Sequence, residues 1–239
     1  MSKPVTSVAL MMLCEQGLIR LEHEVSRYIP EFAELRVFDS GDTQRYHTHP
    51  PARPMRVHDL LTHTSGLTYS FMNQHPVDAL YRRELGDTLA RGETLEQFVS
   101  ALARLPLLYS PGERWNYSVA TDVCGRLVEI VSGQALAAFF RDRIFDPLGM
   151  ADTGFTVAEE NIGRFASCYE IIPGSSRIRK QDDAASSVYR GPCSFLSGGA
   201  GLLSTTDDYL RFCQMLLSGG TLNGARLLSP GTVRFMTLN

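Results

Sequence analysis

Only two of the 23 cationic side chains in this 239-residue sequence are lysines, Lys3 and Lys180. A lysine amine serves as a base near neutral pH where a helix N-terminus, the positive end of the macrodipole, disfavours its protonated form. Lys3 has that setting. From Pro4 to Gln16 the apolar residues Val5, Val8, Ala9, Met12 and Leu13 recur at helical spacing, Pro4 suits a first turn and Gly17 a C-terminal cap. Ser2 is not a suitable hydroxyl partner, because neighbouring residues on a helix point about 100° apart. Taken alone, Lys3 also fits a solvated first-turn lysine.

A second candidate is Tyr117, in the run Trp115-Asn116-Tyr117-Ser118-Val119 that follows Pro111-Gly112. A phenol held near an amine can give or take a proton in acyl transfer. Taken alone, Tyr117 also fits a core aromatic with a satisfied hydroxyl. His47, His49, His58-Asp59 and His63 raise a zinc reading. The H-x-H pair lies in a proline-rich turn with no third ligand at hand, so no metal is expected, and His63 is expected to support the Thr62-Ser65-Gly66 turn. A nucleophile-elbow reading of Thr64-Ser65-Gly66 fails, because G-x-S-x-G requires glycine where His63 stands. The run Gly198-Gly199-Ala200-Gly201 is expected near the mouth of the first helix, where small residues let backbone approach a bound acyl group.

The elements that must position these residues are mostly helical. A short helix turns Val57, Leu60 and Leu61 inward. Asp122 to Ser132 places Val123, Leu127, Val128 and Val131 on one face and ends at Gly133, so Tyr117 and Ser118 sit on the loop leading into it. Ala135 to Phe145 continues in helical style up to Pro147. Ser204 with Asp207, or Thr205 with Asp208, fits a capping box for a helix burying Tyr209, Phe212, Cys213 and Leu216 and ending at Gly219-Gly220. Residues 166–172 and 186–196 are the strand candidates, and residues 40–54 read as a turn-rich surface excursion.

With 44% hydrophobic and 21% charged residues, the chain has an ordinary globular composition. Its net charge of −3 lacks the basic balance of a nucleic-acid binder. The five cysteines are odd in number and include no C-x-x-C pair. They read as small buried hydrophobes, reduced as in a cytoplasm. No apolar stretch approaches 18 residues. A soluble cytoplasmic protein is expected, with no nucleic-acid or membrane partner and no cofactor.

Together the segments carry more than any one of them. SKPVTSVALMMLCEQG (2–17), LLTHTSGL (60–67), SPGERWNYSVATDVCGRLVEIVSG (110–133), IFDPLGMADTGF (144–155) and GGAGLLSTTDDYLRFCQMLLSGG (198–220) resemble, in order, signature segments of the class C β-lactamase-related, penicillin-binding-protein-like family. The resemblance implies an α/β (α+β) β-lactamase/transpeptidase-like fold. It makes Lys3 and Tyr117 the catalytic lysine and tyrosine, with Ser118, Gly199 and Gly201 at the substrate. The family's S-x-x-K motif would put its serine immediately before Met1.

Val119 stands where class C β-lactamases carry asparagine, which favours the esterase and acyltransferase branch. No K-T-G or H-x-G strand appears before Asn239. Residues 1–239 are therefore expected to form one β-lactamase-related domain, incomplete at both ends. Its helices would dominate, much of the central sheet would be missing, and apolar surface would be exposed where that sheet would pack. The implied function is serine hydrolysis, acyl transfer from a small-molecule ester (or a β-lactam or amide) to water through an acyl-enzyme, inactive in this chain without the serine. The alternative is a degenerate, non-catalytic homologue with weak ligand binding.

Overall fold

The computed structural model describes residues 1–86 and 92–238. Its centre is α1 (Ser2–Glu15), in which Val5, Val8, Ala9, Leu10, Met11, Met12 and Leu13 are all buried. A helix apolar on every side must be enclosed rather than laid on a surface, and α1 is covered from several directions. Short helix α2 (Val57–Leu61) is followed by α3 (Pro76–Leu85) and α4 (Leu95–Leu102). The long α5 (Ala120–Ser132) packs against α1, α2 and α4. Next, α6 (Leu136–Phe140) runs through a π turn at Arg141–Phe145 into one further helical turn, Asp146–Leu148. The chain continues through α7 (Thr206–Leu217) and α8 (Pro230–Met236).

The described strands form three separate two-stranded antiparallel hairpins. These are β1 (Val37–Gly41) with β2 (Tyr46–His49), β3 (Cys168–Ile171) with β4 (Ile178–Asp182), and β5 (Thr221–Leu222) with β6 (Ala225–Arg226). Two expectations change here. Part of the supposed excursion at 40–54 is the β1–β2 hairpin, whose register shifts between Phe38 and Ser40. The strand candidate 166–172 holds β3, but the second strand is Ile178–Asp182, and the candidate 186–196 holds no described strand. Ile172 N–H bonds Arg177 O across a tight turn, so the hairpin closes before residue 186 is reached. Residues 188–190 instead form a 3₁₀ turn capped by Ser187, with Pro192 just beyond it.

The start of α7 also differs from the expected capping box. Thr205 Oγ1 accepts the Asp208 N–H at 3.2 Å, but the Asp208 carboxylate turns away to Asp152 N and Thr153 Oγ1. The helix buries Asp208, Phe212 and Met215, while Cys213 is exposed. The cysteines are thus not uniformly core residues: Cys124 is buried, Cys14 and Cys193 are half-buried, and Cys168 is exposed, all as free thiols. Leu210 and Leu217 on α7, with Phe235 and Leu238 at the end of the chain, are apolar side chains more than half exposed. No single described helix is long and apolar enough to cross a membrane.

Candidate active site

The first turn of α1 is tied to the glycine-rich segment from the far end of the chain. Lys3 Nζ donates to Gly199 O at 2.8 Å, and Thr6 Oγ1 donates to Gly198 O at 2.7 Å. The buried Ser2 hydroxyl accepts the Leu202 N–H at 3.2 Å. Only glycine fits at 198, because a Cβ there would lie 2.4 Å from Thr121 O. At 199 a Cβ would lie 2.7 Å from Asp122 Oδ2 and 3.2 Å from the Tyr69 hydroxyl.

The Lys3 amine also lies over two aromatic rings, 4.8 Å from the Tyr117 centroid and 5.5 Å from that of Tyr69. The two rings are 5.1 Å apart and tilted by 50°. Burial raises the Tyr69 phenol well above its ordinary pKa, and the nearby Asp122 charge and Tyr117 add to that rise. Tyr69 is therefore a neutral hydroxyl. Asp122, on the first turn of α5, is buried; its carboxylate accepts hydrogen bonds from Gly199 N (3.0 Å) and Ser197 Oγ. Burial raises its pKa, opposed by those hydrogen bonds and by the Lys3 charge.

The loop that presents Tyr117 is held by a run of backbone bonds to the segment 62–68. Leu108 N donates to Gly66 O (2.7 Å), Gly112 N to Thr64 O (2.7 Å), Asn116 N to His63 O (2.8 Å) and Val119 N to Thr68 O (3.2 Å). Gly66 permits this approach: its φ is +82°, and a Cβ there would lie 2.1 Å from Tyr109 O. The base of the segment is anchored by Asp59, whose buried carboxylate receives both Arg53 terminal nitrogens and the Arg56 N–H, each at 2.8 Å.

His63 does more than support its own turn. It adopts φ +55°, a left-handed conformation unusual for a residue with a Cβ. Its Nδ1 lies 3.3 Å from Ser118 Oγ, and its ring centroid is 5.2 Å from that of Tyr117. Burial, and secondarily the Lys3 charge, lower its pKa, so the imidazole is neutral at physiological pH.

Lys3, Tyr117 and Gly199 therefore meet at one place, with Gly201 two residues along the same segment. Ser118 departs from the expectation of substrate contact. It is fully buried, and its hydroxyl is committed to Ala120 N and His63 Nδ1, so it offers no surface to a ligand. His47, His49 and His58 are exposed, and among the described residues no group of three or more metal-ligating side chains assembles. Tyr69 and Asp122 escaped the sequence reading. An aspartate in a first helical turn looks like an ordinary dipole partner, and nothing local distinguishes Tyr69 from other loop aromatics.

A family model described as Beta-lactamase matches residues 1–237. An uncharacterised protein of Mycobacterium tuberculosis is 39% identical over 236 residues, covering 99% of this chain and 57% of that protein. The lovastatin esterase of Penicillium rubens is 32% identical over 235 residues, covering 97% and 56% respectively. Among solved structures, unliganded simvastatin synthase of Aspergillus terreus superposes with a TM-score of 0.78 at 28% identity, covering 98% of this chain and 55% of that one. The chain belongs to the β-lactamase family and has its β-lactamase/transpeptidase-like fold, with esterases and acyltransferases among its relatives. It spans a little over half the length of the relatives it matches.

Proposed function

We propose that these residues form the proton-transfer part of an esterase-like acyl-transfer site, with Lys3 and Tyr117 as its base and acid. The observation that carries the reading is the Lys3 amine. It projects from the first turn of α1, is held on Gly199 O, and lies 4.8 Å from the Tyr117 ring. The nucleophile belongs three residues before Lys3, the position that precedes Met1, where its hydroxyl would share a helix face with the amine.

In the reaction the hydroxyl oxygen attacks the ester carbonyl carbon, forming a new C–O bond while its proton passes to the Lys3–Tyr117 pair. Collapse of the tetrahedral intermediate breaks the original C–O bond. The leaving alkoxide takes the proton back from the pair and departs as alcohol. Water then repeats the sequence on the acyl-enzyme and releases the acid. Val119, in place of the class C asparagine, and the esterase among the relatives favour esters over β-lactams.

The test compares two proteins. The 239-residue chain should not turn over p-nitrophenyl acetate or a chromogenic cephalosporin, since loss of a nucleophile costs about a million-fold in rate. A chain extended at both ends to the relatives' length, with serine before Met1, should hydrolyse short-chain esters. In it, Lys3→Ala and Tyr117→Phe should each reduce kcat by about 10²- to 10⁴-fold. Turnover that survives both substitutions would place the chemistry elsewhere.

A further inference from the structure

An open cleft of about 220 Å³ shares Tyr69 with the cluster described above, yet neither Lys3 nor Tyr117 lines it. Its apolar walls are Phe71, Leu85, Phe98, Val119 and Phe195, and its rim includes Ala200 and Gly201. Phe71 stacks on Tyr69 with centroids 4.7 Å apart, and Phe98 packs on Phe195 at 5.0 Å. Among the described residues no lysine, arginine or histidine lines it, and the ionisable carboxyl that does, Asp122, is engaged by Gly199 and Ser197.

We propose that this cleft receives the acyl group of the ester, and that this group is uncharged, apolar and longer than acetyl, of the size of a hexanoyl or benzoyl group. The inference rests on the acyl-transfer reading. The leaving oxygen must receive its proton from Lys3 and Tyr117, so the alcohol lies on their side of the carbonyl carbon. The acyl substituent leaves that carbon away from the pair, and the cleft is the pocket that shares Tyr69 and Asp122 with the cluster without including Lys3 or Tyr117. Aromatic and aliphatic walls favour methylene groups withdrawn from water, each worth roughly fourfold in binding. An acyl chain ending in a carboxylate finds no cation among the described lining residues and meets the Asp122 carboxyl instead.

The extended chain with its serine tests this with p-nitrophenyl acetate, butyrate and hexanoate and with the mono-p-nitrophenyl ester of adipic acid. The proposal expects kcat/KM to rise at least tenfold from acetate to hexanoate, and the anionic adipate to fall at least tenfold below hexanoate. Ser70 also lines the cleft, so Ser70→Phe, which narrows it, should cut the hexanoate-to-acetate ratio at least fivefold. Phe195→Ala, which widens it, should raise the dodecanoate-to-hexanoate ratio. Ratios within one preparation are independent of how much of a variant folds.

Ethyl hexanoate and hexyl acetate separate the two ends of the ester. If Ser70→Phe penalises hexyl acetate more than ethyl hexanoate, the cleft holds the alcohol and the acyl assignment is overturned. An acyl-length profile that is flat in the parent and both variants overturns it too, while leaving the acyl-transfer reading intact. Absence of acetate turnover in the extended parent overturns that reading and the proposal with it.

Discussion

Asp122 and Lys3 are joined through a single residue: the Asp122 carboxylate accepts the Gly199 N–H at 3.0 Å, and the carbonyl of Gly199 accepts the Lys3 amine at 2.8 Å. A carboxylate on α5 thus sets where an amine on α1 can rest. Asp122→Ala leaves the Gly199 N–H and the Ser197 hydroxyl without their acceptor in a buried place, at a cost of about 2–4 kcal/mol. Asp122→Asn keeps an acceptor oxygen and should recover more than half of that loss. Urea unfolding of the two variants measures the difference, and equal stabilities would remove the hydrogen-bonding role of the carboxyl.

Gly198 should tolerate no side chain. An alanine Cβ there would meet Thr121 O at 2.4 Å and Gly125 Cα at 3.2 Å, both of them backbone atoms of α5. Gly198→Ala should cost about 1–3 kcal/mol as α5 and the glycine segment are forced apart. Gly191, which has nothing within 4 Å of a built Cβ and φ −110°, is the control, and Gly191→Ala should change thermal stability little.

Tyr81 lies fully buried, and among the described residues its hydroxyl is a buried side-chain oxygen with no hydrogen-bond partner. The Thr68 backbone lies close by without meeting hydrogen-bond geometry. An unpaired buried hydroxyl is a net cost, so Tyr81→Phe should raise stability by about 1 kcal/mol. A lower denaturation midpoint in this variant would mean that the hydroxyl has a partner after all.

His63 should make stability fall in mild acid. Its folded pKa lies below the ordinary 6.5, so the unfolded chain takes up a proton that the folded chain rejects. The contribution is complete above 6.5, declines as pH falls from 6.5 to the lower folded value, and levels off beyond it. Asparagine accepts the φ of +55° at this position and carries no titrating ring. Stability should therefore decline less steeply in His63→Asn than in the parent between about pH 7 and 5. Parallel curves would discard the account.

What was legible in the sequence is mostly local. α1, α5 and α7 follow from 3.6-residue periodicity and from terminating glycines, because a helix is decided by neighbours within a turn or two. Lys3 and Tyr117 could be singled out because each sits at a helix entrance inside a recurrent motif. The β3–β4 pairing was not legible, because the segment that holds Ile178–Asp182 is polar and reads as a turn, and the pairing depended on where the chain turned back.

The sequence by itself determined where the long helices α1, α5 and α7 run and which family the segments resemble, though not the whole buried face of α7, where Met215 is buried and Cys213 exposed. Only the tertiary structure decided that residue 199 closes over residue 3 across 196 positions of chain, that Ser118 is buried, and that Tyr69 and Asp122 complete the cluster. The physical reason is that these contacts depend on how α1, α5 and two loops pack in three dimensions. A pattern of side chains specifies the face that each element buries, but it does not specify which distant backbone will meet that face.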